Sequence, residues 1–240
     1  MIRLIASDLD GTLLHNGAQT LNPEIFDLIL ALKEKGIRFA AASGRQYANL
    51  KRLFAPVANE ISYIAENGSM TVDNGRILST GEIDRSLANE IILDARTQPE
   101  CSLLFSGPEK CYVILSDDLT KLSDTCLKVA ICNFNGAEHS IGYFLEKYGH
   151  RIKIVTSGNI WFDFIAPNAN KGSGLKTLAD SLGILPEECM TFGDQYNDVE
   201  MLEFTPHSYA MTNCAAGVER HASGRTSSVE AVLKQLLNER

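Results

Sequence analysis

The residues predict an α/β fold, a doubly wound and mostly parallel sheet interrupted by an inserted α+β domain. Three observations carry this. Near-continuous apolar runs alternate with helical patterns at the start of the chain, as strands buried on both faces of a parallel sheet require. From about Glu82 the alternation gives way to helices and antiparallel hairpins. After Asn170 the strand–helix alternation returns. These boundaries predict a core of residues 1–81 and 167–240 and an insertion of residues 82–166.

The first strand reads from Arg3 to Ser7. In the helix that follows, Asn22 is placed to cap, Pro23 suits the first helical position, and Ile25, Leu28, Ile29 and Leu32 recur at helical spacing until Gly36 stops it. A second apolar run, Ile37–Ala42, breaks at Ser43-Gly44; a helix over Gln46–Phe54 and a strand over Ile61–Ala65 lead to Glu66-Asn67-Gly68. Asn74-Gly75 predicts a tight hairpin between Thr71-Val72 and Arg76-Ile77-Leu78, because a two-residue turn needs positive φ. The insertion reads as a helix over Ser86–Arg96, strands over Cys101–Phe105 and Cys111–Leu115, and two further helical stretches. A hairpin of Arg151–Val155 with Ile160–Ile165 around Gly158-Asn159 closes it. The last part predicts a helix over Gly172–Leu182, a strand over Cys189–Phe192, a helix after Asn197, a strand near Tyr209 and a helix over Ser228–Leu237.

A chain of 240 residues, 45% hydrophobic and 22% charged, buries a core without staples and is neither disordered nor fibrous. Its net charge of −8 disfavours non-specific nucleic-acid binding. Six cysteines without metal spacing read as reduced thiols. No signal-peptide core or membrane-length apolar run is visible, so the expectation is a cytoplasmic protein without nucleic-acid or membrane partners. Oligomeric state is not legible.

Ligands of open parallel sheets bind beyond the carboxyl ends of the strands. There stand Asp8 and Asp10, Ser43-Gly44, Asn67-Gly68, and Gly193-Asp194 with Asn197-Asp198. Asp8 and Asp10, two apart, project to one side while the backbone stays extended. Close carboxylates need a cation or a retained proton, and with Asp194 they form an oxygen-rich set of the kind Mg²⁺ prefers. Each feature also has a plainer reading: an Asp10-Gly11 turn, Ser43 as an N-cap, Lys171 as one more solvated lysine, residues 193–198 as a polar turn.

Asp8-Leu-Asp-Gly-Thr-Leu-Leu14, Ala42-Ser-Gly-Arg45, Lys171 and Gly193-Asp-Gln-Tyr-Asn-Asp198, in this order, resemble the four motifs of the haloacid dehalogenase superfamily, in particular its sugar-phosphatase-like Cof group. The resemblance covers the whole chain, with the insertion in the place of the group's cap domain, though shorter than usual. It implies a Mg²⁺-dependent phosphatase acting on small phosphorylated metabolites, sugar phosphates by default. Asp8 is then the nucleophile that forms an aspartyl-phosphate, and Asp10 the acid and later the base. The carboxylates of Asp8 and Asp194 and the backbone carbonyl of Asp10 are the implied metal ligands. Leu9, Ser43, Gly44, Lys171 and Asn197 hold the phosphoryl group, Asp198 orients Lys171 or metal-bound waters, and Thr12 organises the loop. The insertion is expected to close over the rim and choose the leaving group.

Two other classes compete. A receiver or idle phosphate-binding module also sets acids, a hydroxyl and a lysine on strand ends, but normally lacks Asp-x-Asp on the first strand and a large insertion; it labels once without turnover. A phosphosugar mutase of the same superfamily shares the aspartyl-phosphate and returns it to sugar. P-loop, zincin and nucleophile-elbow patterns are absent. As an exposed rim carboxylate, Asp8 is expected to contribute little to stability.

Overall fold

Strand β1 (Leu4–Ser7) is followed by α1 (Glu24–Glu34), β2 (Arg38–Ala42), α2 (Tyr47–Leu53), β3 (Ser62–Ala65), β4 (Met70–Asp73) and β5 (Arg76–Thr80) in a computed structural model of the chain. Next come α3 (Arg85–Ala95), β6 (Cys101–Ser106), β7 (Cys111–Val113), β8 (Lys128–Asn133), α4 (Glu138–Tyr148), β9 (Lys153–Thr156) and β10 (Trp161–Ile165). The last are α5 (Lys171–Leu182), β11 (Cys189–Gly193), α6 (Val199–Leu202), β12 (Ser208–Met211), β13 (Gly224–Thr226) and α7 (Val229–Asn238). The structure describes residues 1–15, 17–98, 100–115, 119, 122, 125–156 and 159–238. They divide into two units, Met1–Ser79 with Asn170–Arg240, and Thr80–Ala169.

Among the described residues the first unit holds an eight-stranded sheet in the order β13-β12-β11-β1-β2-β3-β4-β5. β1 pairs in parallel with β2 on one side and β11 on the other. The chain therefore leaves β1 one way through β2 and β3 and returns on its other side through β11, β12 and β13. That reversal opens a crevice at the carboxyl ends of β1 and β11, where ligands bind in such sheets. Leu4, Ala6, Ala40, Ala42 and Ile64 pack with Leu175, Leu178 and Ala179 of α5 in one layer. On α1, Ile25, Leu28, Ile29 and Leu32 are buried, and Phe54 meets both Phe26 and Phe39. At the start of α1, Asn22 Oδ1 accepts from the Glu24 N–H at 3.2 Å.

Asn74 and Gly75 both have positive φ, +48° and +73°, as the hairpin requires. The hairpin extends the main sheet. The short β13 left no readable apolar pattern: its three residues are only partly buried or exposed.

The second unit is a five-stranded sheet, β7-β6-β8-β10-β9, paired antiparallel throughout. Phe105, Val129, Ile131, Phe162 and Phe164 pack against Leu87, Ile91 and Ile92 of α3 and Phe144 and Tyr148 of α4. Of the two helical stretches expected after Leu115, α4 is one; no strand was expected at Lys128–Asn133, which is the central strand β8, buried along its whole length. A continuously buried run carries no alternation to separate strand from helix. Residues 116–118, 120, 121, 123 and 124 lie outside the described residues, as does Gly158 of the expected Gly158-Asn159 turn. Among the described residues no helix is long and apolar enough to cross a membrane.

One backbone contact ties β3 to the start of α5. Gly68 has φ +91°, and a Cβ there would lie 2.0 Å from the carbonyl oxygen of Asn170. Gly36, with φ +75°, has nothing within 4 Å of the same position. Gly68→Ala is therefore expected to destabilise the first unit by about 2–4 kcal/mol, and Gly36→Ala by about 1 kcal/mol, through backbone strain alone. Thermal unfolding of both variants measures the difference.

Candidate active site

The Asp8 N–H donates to Phe192 O at 3.0 Å, extending the β1–β11 pairing one residue past the strand. The chain then turns: Leu13 and Leu14 N–H groups return to Leu9 O at 2.9 and 2.6 Å. Gly11 takes φ +93°, and a Cβ on it would stand 2.2 Å from Asp194 Oδ2, so only glycine lets the two loops meet. This turn separates the Asp pair. Asp8 is 5% exposed and points into the crevice cluster. The side chain of Asp10, 56% exposed, is held in a two-pronged bond by Arg45, with Nε to Oδ2 at 2.8 Å and Nη2 to Oδ1 at 2.5 Å. Asp10 is not among the carboxylates gathered with Asp8, and its side chain is paired with Arg45 instead.

Lys171 is the first residue of α5, one earlier than its sequence pattern suggested. Asn170 caps the helix: its Oδ1 accepts from Ser173 N at 2.7 Å while Ser173 Oγ accepts from Asn170 N at 3.1 Å. The plainer reading of Lys171 as a solvated lysine does not hold, since it is 1% exposed. Its Nζ donates to Asp8 Oδ1 at 2.5 Å and to Asp198 Oδ1 at 2.6 Å. Asp198 Oδ2 accepts from the N–H groups of Asp194 and Gln195, both at 2.9 Å. Thr12 Oγ1 donates to Asp194 Oδ1 at 2.8 Å, and Gln195 Nε2 to Oδ2 at 3.3 Å.

Ser43 is buried, but it does not cap a helix: α2 begins four residues later. Its Oγ accepts from the Arg45 N–H at 3.1 Å, and its own N–H donates to Ile64 O at 2.9 Å. Asn197 Nδ2 donates to Asn67 Oδ1 at 3.0 Å. Leu9 is fully buried beside Asp8, and Gly44 lies against the Asn67 amide.

Carboxylate oxygens of Asp8, Asp194 and Asp198 lie within 4.8 Å of one another. Burial pushes the Asp8 carboxyl well above the usual range; Lys171 opposes this, and the charges of Asp198 and Asp194 add to it. Burial likewise raises Asp194, against the Thr12 hydrogen bond. Burial would strip Lys171 of its proton, but Asp198 and Asp8 outweigh it and hold the ammonium more firmly than usual.

Fully ionised, three carboxylates against one ammonium would leave two negative charges uncompensated in a buried space. A divalent cation matches that deficit, and oxygen-only donors suit a hard ion. Asp198 is the poorest ligand of the three, because Lys171 and two N–H groups already occupy its oxygens. The sequence analysis assigned no role to Arg45 or Asn67. Arg45 stood within the Ala42-Ser-Gly-Arg45 motif as a signal; its reach to Asp10 follows only from the turn after Leu9. Asn213, whose Nδ2 donates to Gly11 O at 2.9 Å, had no sequence signal at all.

A family model of haloacid dehalogenase-like hydrolases matches residues 5–128 and 114–234. The chain is 32% identical to the 5-amino-6-(5-phospho-D-ribitylamino)uracil phosphatase YbjI of Escherichia coli, over 95% of this chain and 91% of that protein. It is 26% identical to an HMP-PP phosphatase of Citrobacter koseri, over 89% of this chain and 85% of that one. A solved structure from Eubacterium rectale superposes with a TM-score of 0.86 at 28% identity, covering 98% of this chain and 99% of the other. For the fold alone, a haloacid dehalogenase-like hydrolase from B. subtilis gives a TM-score of 0.85 at 21% identity, covering 98% and 100%.

Because Asp8 is buried rather than an exposed rim group, its removal should alter stability. Its raised pKa means the native state keeps a proton that the unfolded chain has already lost. Metal-free stability therefore falls as pH rises from the unfolded value through the raised one. In EDTA at pH 8, Asp8→Asn should therefore raise the melting temperature. The gain should shrink toward pH 5, and thermal scans at the two pH values read it. A variant less stable at both would contradict the charge imbalance.

Proposed function

The chain belongs to the haloacid dehalogenase-like hydrolase family and is a phosphatase, and we propose that it hydrolyses phosphomonoesters of small metabolites through an aspartyl-phosphate on Asp8, with Mg²⁺ as cofactor. The observation that carries this is the buried Lys171 ammonium bonded at once to Asp8 and Asp198, beside Asp194. An anionic nucleophile approaching a phosphate dianion is repelled, so a phosphoryl-transfer site must supply positive charge that is already in place.

In this reading Asp8 attacks phosphorus as the ester P–O bond breaks, and Asp10 gives its proton to the departing alkoxide. Asp10 then takes a proton from water as that water attacks the aspartyl-phosphate, which returns the Asp8 carboxylate and releases phosphate. Lys171 neutralises the transferring group, and Asp198 keeps Lys171 in place. The Ser43 hydroxyl, the Leu9 and Gly44 N–H groups and the Asn197 amide hold the phosphoryl oxygens. Asp8 and Asp194, with the Asp10 carbonyl, would hold Mg²⁺, which when bound supplies the missing positive charge between nucleophile and phosphoryl oxygen. Thr12 orients Asp194 for that task. Asp10, an acceptor on both oxygens in the Arg45 fork, must leave the fork and take up a proton from solvent before it can act as the acid.

Sugar phosphates are the proposed substrate class. The named relatives are phosphatases of 5-amino-6-(5-phospho-D-ribitylamino)uracil and of HMP-PP, which are likewise small phosphorylated metabolites. The cytoplasm is the proposed compartment, supported by six cysteines that are all free thiols among the described residues.

Purified protein with Mg²⁺ should release phosphate from p-nitrophenyl phosphate over many turnovers. Asp8→Ala and Asp8→Asn should lower the rate by roughly 10⁴-fold or more. Chelation with EDTA should stop turnover and added Mg²⁺ restore it. Because a raised carboxyl pKa makes protons compete with the metal, half-activation should need more Mg²⁺ as pH falls. Turnover that survives thorough chelation, or that persists in Asp8→Asn, contradicts the reading.

A further inference from the structure

Three consecutive residues after β3, Glu66, Asn67 and Gly68, have φ of +52°, +56° and +91°. Left-handed backbone costs glycine nothing and asparagine little, but it is unfavourable for glutamate. Such a run persists only where its surroundings over-determine it. Here the Glu66 N–H donates to Arg45 O at 3.1 Å and the Asn67 N–H to Ser43 O at 3.0 Å, while Gly68 abuts the carbonyl of Asn170, the residue before Lys171. The loop thus grips the Ser43–Arg45 segment from behind and delivers the Asn67 side chain, itself buried, between Gly44 and Asn197.

The two ends of a primary amide have nearly the same shape, yet only the nitrogen end can donate to a phosphoryl oxygen. Asn67 Oδ1 accepts one proton of Asn197 Nδ2 at 3.0 Å. That bond decides which end of the Asn197 amide is nitrogen at this position, and the second N–H is fixed in the same plane. The other flank of the Asn67 amide meets Gly44, where a Cβ would already lie 3.0 Å from Oδ1 and 3.1 Å from Nδ2. Asn67 therefore touches both Asn197 and the peptide of Gly44 without belonging to either loop.

We infer that Asn67 is a positioning residue for phosphoryl binding, setting the donor end of Asn197 toward the phosphoryl oxygens. The inference rests on the phosphate-holding role of Asn197 proposed above. Glycine at position 67 accepts the same backbone conformation more readily than asparagine, so Asn67→Gly removes the amide without straining the loop.

The test is a cycle of Asn67→Gly, Asn197→Ala and the double variant. It is read as kcat and KM for p-nitrophenyl phosphate and as the inhibition constant of orthovanadate, with thermal scans to confirm folding. Asn67→Gly should lower kcat/KM about tenfold, mostly through KM, and weaken orthovanadate by a similar factor, as loss of one oriented charge-assisted hydrogen bond implies. The double variant should be no worse than Asn197→Ala alone, because Asn67 acts through Asn197. A double variant that loses the product of the two single factors overturns the inference, as does an Asn67→Gly enzyme with parental constants beside a weakened Asn197→Ala. Parental constants in Asn197→Ala itself would instead remove the phosphate-holding role of Asn197, and the inference with it.

Discussion

The Lys171 ammonium, closed off from solvent between the Asp8 and Asp198 carboxylates, is the contact on which the site depends. Taking an ammonium out of water costs several kcal/mol, and removing Lys171 would strand two buried carboxylates without their cation. The surrounding architecture therefore has to be exact in three places. The capping box of Asn170 and Ser173 fixes where α5 begins, the Gly68 turn lets β3 approach that start, and two N–H groups after β11 hold the far oxygen of Asp198. Asp8, Lys171 and Asp198 lie far apart in the chain, so the pairing exists only once β1 and β11 are neighbours.

The same contact gives meaning to the acidity of the chain. A net charge of −8 repels anionic substrates in general. Inside the crevice the imbalance is local: Asp8 and Asp194 are driven toward their protonated forms by burial and by the charge of Asp198. A divalent cation there would cancel the excess negative charge that an incoming phosphate meets. Asp10 stands outside this cluster, kept by Arg45 at the exposed edge.

Much of this was legible in the chain because doubly wound sheets put their chemistry at strand ends, and each strand end here is marked by a change from apolar to polar residues. Asp8, Ser43, Asp194 and Asn197 could be named for that reason. Burial was not legible. Asp8 and Lys171 have residue types that are usually solvated, and only the closeness of three loops removes them from water. The parting of Asp8 and Asp10 was hidden too, since it depends on Arg45 of a distant loop reaching the Asp10 carboxylate. β8 was missed because a strand buried on both faces has no alternation, and Asn67 lacked a role until its amide was seen against Asn197.

The central claim, that phosphoryl groups pass through a covalent bond to Asp8 charge-balanced by Lys171, is tested most directly by the stereochemical course at phosphorus. A phosphomonoester made chiral with oxygen isotopes, hydrolysed in isotopically distinct water, should yield phosphate with overall retention, because two in-line displacements each invert the centre. Overall inversion would mean a single direct attack by water and would contradict the account.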